Sequence, residues 1–280
     1  MTLEPVVRLN RDLTQAAKIM SDDEARYLVD AYYIMQEDRK RSGNQINSME
    51  GEPSSVINWL SEQSSVLEDQ IKRALDKYTN SKPIGQWMRD QYGIGPVISA
   101  GLIAHININK AITVSHIWRF AGLDPTQKWE KGQKRPWNAK LKTLCWKVGQ
   151  SFMKFSNQDD CFYGKIYRDR KAYEIARNDS GANKELALEL SAKFKKTTEA
   201  YKHLIDGKLP PAQLDARARR YAVKMFLSHL QTVWWWLEHG NLPEKPFAFN
   251  LAGHSHYVFP PHIPDDLRLA LEKEYGSQSA

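Results

Sequence analysis

Gly122-Leu-Asp-Pro-Thr-Gln-Lys-Trp-Glu-Lys-Gly-Gln-Lys-Arg-Pro-Trp-Asn138 concentrates the side chains most able to do chemistry. Within 17 residues it holds the carboxylate Asp124, the cations Lys128, Lys131, Lys134 and Arg135, and the indoles of Trp129 and Trp137. Lysine and arginine neutralise phosphates and displace their counterions. An indole can hold a base that has left its stack, and a carboxylate can stabilise an oxocarbenium-like sugar and position water. On this reading Asp124 is the candidate catalytic residue. Lys128, Lys131, Lys134, Arg135 and Asn138 are candidate DNA contacts, and Trp129 and Trp137 are candidate base-stacking residues. The same residues also suit a solvated basic loop whose indoles pack inward.

Other chemistries find less material. His254-Ser255-His256, with His262 close by, is the one histidine cluster, but no Cys or carboxylate adjoins it, so no metal is expected. Asp124, Asp159, Asp160, Asp169 and Asp215 could serve a two-metal nuclease, yet nothing in their spacing selects them. Walker, nucleotide-loop and GxSxG motifs are missing, and no cofactor is expected. The cysteines Cys145 and Cys161 lack a CxxC spacing and suit reduced thiols.

The net charge of +7 matters through its distribution, because Glu130 is the single acid from Lys128 to Lys147. An apolar fraction of 41% suits a soluble globular chain. No run is apolar enough to span a bilayer, and Met1 to Asp12 lacks the apolar region of a signal peptide. The expected setting is the cytoplasm of a bacterial or phage-infected cell, with DNA as partner and no membrane.

Helical patterns must position these residues. Residues 1–20 read as a loose arm. Ser21 and Glu24 form a capping box that opens a long helix towards Glu50. Gly51-Glu52-Pro53 breaks it, and a second long helix follows, pairing antiparallel with the first. Thr113 or Ser115 caps a short helix carrying Ile117, Trp118 and Phe120. Asn138 caps another through Leu141, Leu144, Val148 and Phe152. Trp118 and Trp146 are expected in the core. Further helices are expected over 159–178, 184–206 and 211–239, the last with Arg217, Arg219, Arg220 and Lys224 on an exposed side. Leu242 to Pro264 reads as an extended segment wrapping the body. The fold class is all-α, a helical bundle. Its segments are 1–80 (arm and helical hairpin), 81–158 (turn module and basic loop) and 159–280 (C-terminal helices and tail).

Tyr92-Gly93-Ile94-Gly95-Pro96-Val97 lies between two of the short helical patterns, and the arrangement resembles a helix-hairpin-helix, a module that grips the DNA backbone. Glycines let the turn approach a phosphate, and the free amides opening the second helix are anion donors. Pro96 suits the first helical turn. Gly93, Ile94, Gly95 and Val97 are then DNA contacts. The alternative is an ordinary turn whose glycines serve only its dihedral angles.

Gly93-Ile94-Gly95-Pro96-Val97, then Trp118-Arg119-Phe120-Ala121-Gly122-Leu123-Asp124-Pro125, a basic loop and Asn138 before a Leu-rich helix together resemble a known domain. It is the C-terminal helix-hairpin-helix domain of the DEDD-type insertion-sequence transposases, matched over roughly residues 85–155. Those enzymes add an N-terminal RuvC-like β-sheet domain, where this chain has two amphipathic helices. They also place a serine nucleophile in the loop, and residues 126–138 contain none. A working transposase is therefore not expected. A fainter similarity runs to helix-hairpin-helix DNA glycosylases, but Ser115 stands where their catalytic Asp would be and Val97 lies near the place of their Lys. The expected function is a DNA glycosylase excising a damaged or modified base, for example in phage DNA or phage defence. The alternatives are a non-catalytic DNA-binding or recombination protein derived from a transposase domain, and a nuclease or recombinase with an unrecognised site.

Overall fold

The computed structural model describes residues 8–49, 51, 54–245 and 257–276. Among them every regular element is helical, twelve α-helices and one 3₁₀ turn, as the periodicity requires. The chain divides into two compact units. One comprises the residues up to Asp90, Ile94–Ala111 and Leu237–Gly240; the other comprises Gln91–Gly93, Ile112–Trp236 and the residues from Asn241 on. The segment 81–158 is thus shared between them.

The first unit contains α1 (Arg11–Lys18), α2 (Asp22–Ser48), α3 (Ser55–Asn80), α4 (Pro83–Arg89) and α5 (Pro96–His105). The Ser21–Glu24 capping box is present. Tyr78 donates to Asp22 at 2.7 Å, Ser64 to Asp38 at 2.6 Å, and Arg39 pairs with Glu68 at 2.6 Å. Partner numbers rise on α2 as they fall on α3, so the two helices run antiparallel. Part of the expected loose arm is helical. Asn10 caps α1 by accepting from the Leu13 amide at 2.8 Å. Eight residues are too few for a helix to persist alone; α1 is held by packing on α3. The interior helix is α5, whose residues from Pro96 to Ala104 are buried except Ile98.

The second unit contains α6 (Val114–Phe120), α7 (Ala139–Lys154), α8 (Phe162–Asp179), α9 (Lys184–Ser191), α10 (Glu199–Ile205), most of α11 (Pro211–His239) and α12 (Asp265–Tyr275). The single helix expected over 184–206 is two. Thr198 accepts from the Tyr201 amide and starts α10 afresh, a competition that threonine oxygens commonly win at helix starts. The core centres on Phe152, Tyr163 and Phe226, with Phe152 and Tyr163 stacked 4.9 Å apart. The described part of the expected extended tail lies on this core, with Tyr257 and Phe259 buried and Tyr257 stacked on Tyr275. His254 and His256 lie outside the described residues.

His229 closes the core from α11. Its Nε2 donates to the Val258 carbonyl at 2.8 Å, so Nδ1 accepts from the Tyr163 hydroxyl at 2.9 Å. Burial pushes its pKa down to about 4, and the imidazole is neutral. A histidine with a depressed folded pKa contributes stability that is complete above its unfolded value, near 6.5, and is lost as pH falls towards 4. Urea unfolding should therefore show a decline across that window of up to roughly 3 kcal/mol. In His229→Gln this part of the slope should vanish; a slope unchanged by the substitution would assign the titration to another group.

Candidate nucleic-acid interface

Gly93 adopts φ +90°, where only glycine is comfortable, and a Cβ there would stand 3.0 Å from Ser151 Oγ. Ser151 donates to the Gly93 carbonyl at 2.5 Å. In the first unit, Arg89 donates to the Ile94 carbonyl at 3.0 Å and pairs with Asp76 at 3.4 Å. The side chains of Ile94 and Val97 are buried, so what these two residues offer at the turn is backbone. Gly95 differs. It is the N-cap of α5 at φ −89° with no side-chain cap, and nothing lies within 4 Å of where its Cβ would sit. The Val97 and Ile98 amides precede the first i→i−4 bond of α5, from Ser99 to the Gly95 carbonyl at 3.0 Å.

In the second unit the loop after α6 is closed at its base. The Leu123 amide donates to the Trp118 carbonyl and the Asn138 amide to the Phe120 carbonyl, both at 2.8 Å. Asn138 also caps α7, its Oδ1 accepting from the Leu141 amide at 3.0 Å. Gly122, at φ +64°, is where the indole of Trp137 lies, and a Cβ would stand 2.8 Å from Trp137 Cγ. Lys142 Nζ sits 4.0 Å from the centre of the same indole. Trp129 is 38% exposed; its Nε1 donates to the Gln133 carbonyl at 2.7 Å, and the Arg135 guanidinium lies 5.1 Å from its ring centre. Both indoles therefore help to hold the loop together. Lys128, Lys131 and Lys134 are exposed and carry no ion pair among the described residues.

Asp124 organises the start of this loop. Its Oδ1 accepts from the Thr126 amide at 2.9 Å and from the Thr126 hydroxyl at 2.7 Å, while Oδ2 lies 3.6 Å from Arg119 Nε. The Thr126 hydrogen bonds, and after them the charges of Arg119 and Lys224, hold the carboxyl below its ordinary pKa. Asp124 is thus ionised, and its geometry is that of an Asx turn.

Two expectations about α7 and α11 are corrected. Trp146 is not in the core but 59% exposed. The buried stripe of α7 runs through Leu141, Leu144, Cys145, Val148, Gly149 and Phe152, and helical geometry turns Trp146 away from its middle. Arg217, Arg219 and Lys224 are half-buried, leaving Arg220 as the exposed one of the four. Arg217 reaches Glu174 at 3.3 Å, Arg219 pairs with Asp215 at 2.7 Å, and Lys224 Nζ lies 4.0 Å from the Trp118 ring centre. Burial, then the charges of Arg135 and Arg220, push the Lys142 pKa down. The motifs of the sequence do not mark Lys142, Trp146 or Arg220 as site residues; the helical wheel of α7 carries the one available signal, for Trp146.

Among the described residues no group of three or more His, Cys, Asp or Glu could hold a metal ion, and no helix is long and apolar enough to cross a membrane. Comparison with protein-family models, with curated proteins and with solved structures yields no match to this chain.

If Asp124 is chiefly a turn residue, Asp124→Asn keeps the acceptor for Thr126 and Asp124→Ala loses it. Limited trypsin digestion should then cut after Lys128 and Lys131 several-fold faster in the alanine variant and at the wild-type rate in the asparagine variant. Equal digestion of all three proteins would show that the loop does not depend on this turn.

Proposed function

We propose that this chain binds DNA, with the basic face of its second unit on the phosphates. The observation that carries the reading is that Lys142 and Arg220 line one pocket with no acidic residue in its wall, in the same unit as the exposed Lys128, Lys131 and Lys134, which carry no ion pair among the described residues. Cations held together against their own repulsion are stabilised by a polyanion that replaces many counterions at once. The uncapped start of α5 at Gly95 supports a further backbone contact of the helix-hairpin-helix kind, with amides rather than side chains as donors.

Binding without catalysis is the form of this proposal that the geometry favours. A glycosylase needs aromatic faces open to an extruded base, and Trp129 and Trp137 are already engaged within the loop. One observation supports base excision as a second reading. Asp124 is held ionised, the state that a carboxylate facing an oxocarbenium-like sugar requires.

Native gels and alkali-treated denaturing gels on end-labelled unmodified, uracil-containing and phage-modified DNA separate these readings. The expected result is shifted, intact DNA. Breaks that appear only after hot alkali would establish base excision, and Asp124→Asn should then abolish them while affinity is kept. Breaks without alkali would replace both readings with a nuclease or recombinase. Changing Lys128, Lys131, Lys134 and Arg135 together to Ala should flatten the salt dependence by about 0.9 in log–log slope for each phosphate that is no longer neutralised. Gly95→Val, at a position with room and an ordinary φ, should leave the fold intact and weaken binding to every sequence. An unchanged salt slope would take the loop off the phosphates.

A further inference from the structure

Between α7 and α11 the second unit contains a pocket of about 190 Å³. Buried Cys145 and Val223 form its floor, and Lys142, Trp146 and Arg220 stand at its exposed edge. Gly149 in its wall allows the two helices to close, because a Cβ there would meet Val223 Cγ2 at 3.2 Å and Arg219 Cβ at 3.4 Å. None of the residues lining the pocket is acidic. Arg219 also lines it but is already paired with Asp215. Lys142 and Arg220 are exposed and have no ion-pair partner among the described residues, and burial of part of each side chain together with neighbouring cations lowers the pKa of both.

The size and lining restrict the occupant. An apolar cavity of about 150 Å³ holds one benzene ring, whereas sites for drug-sized ligands start near 300 Å³. A single planar ring system fits; a dinucleotide does not. Burial pushes the Cys145 thiol up to about 12, so the floor is a protonated, apolar surface without a nucleophile. The exposed indole of Trp146 lines the pocket, where an aromatic ring can stack on it, and the two cations beside it suit a ligand that carries an anion within a side chain's reach.

We propose that this pocket receives one nucleotide unit, the base lying in the apolar slot against Trp146 and its phosphate bridging Lys142 and Arg220. The proposal rests on the DNA-binding reading only in taking that nucleotide from a strand; the same chemistry is presented by a free nucleoside monophosphate. Binding here is non-covalent recognition of an unstacked base, and no bond is made or broken.

The test uses the full chain and fluorescence polarisation with three duplexes of equal length: fully paired, with one unpaired bulged nucleotide, and with an abasic residue at the bulge. The four deoxynucleoside monophosphates serve as competitors and, by calorimetry, as direct ligands. The bulged duplex should bind about tenfold more tightly than the paired and abasic ones, within the range of one base stacked on an aromatic side chain. Trp146→Ala, at an exposed position, should erase that preference and leave paired-duplex affinity within about twofold. Lys142→Gln combined with Arg220→Gln should abolish mononucleotide competition. Equal affinity for all three duplexes without mononucleotide binding would overturn the pocket and leave the DNA reading standing. A preference that survives both sets of substitutions would also overturn it. Mononucleotide binding sensitive to Trp146→Ala, with no duplex bound, would keep the pocket and remove the DNA reading. Failure of every probe would remove both.

Discussion

A cation drawn out of water must find an opposite charge, a π face or an anion from outside, because the interior does not replace its hydration. The second unit is organised by this constraint along α11. Arg217 finds Glu174, itself also held by Arg170; Arg219 finds Asp215, which Lys171 and Tyr167 also engage; Lys224 finds the face of Trp118. These contacts connect α11 to α8 on one flank and to α6 on another. Arg220 on α11 and Lys142 on α7 remain exposed and make no ion pair among the described residues, Lys142 resting on the Trp137 ring. The packing of α7 on α11 brings these two cations to the edge of one pocket.

The loop between α6 and α7 adds a second basic element, and its stiffness comes from a contact only glycine permits. With Gly122 in the left-handed region and no Cβ in the way, Trp137 folds back onto the chain and the two ends are tied by backbone hydrogen bonds. Asp124 turns the chain as it leaves α6. A loop built this way has its backbone tied at the base, so less backbone entropy is lost when a ligand engages its lysines. It also leaves its two indoles already engaged, whereas Trp146 on α7 is exposed.

Local patterns are legible in the residues themselves. The Ser21 capping box, the Asn138 cap and the stripe from Leu141 to Phe152 all occur where short-range chemistry puts them, since each depends on neighbours within about four residues. Where a longer-range partner decides the outcome, sequence pattern and structure part: residues 11–18 are helical with α3 packed against them. Two other departures are local signals that residue type outweighs. The run from 184 to 206 breaks where Thr198 caps the Tyr201 amide, and Trp146, expected in the core by type, points outward on the helical wheel.

The residues alone determined that this chain is built from helices, where most of those helices start and stop, and that its positive charge is concentrated after Gly122. Those properties follow from backbone hydrogen bonding and side-chain periodicity, which are local. Only the tertiary structure decided which cations are neutralised and which remain to meet a partner. Arg217 and Glu174 are 43 residues apart in the chain, and no periodicity connects them. Neutralisation requires oppositely charged atoms within a few ångströms of each other, and that distance is set by how α7, α8 and α11 pack.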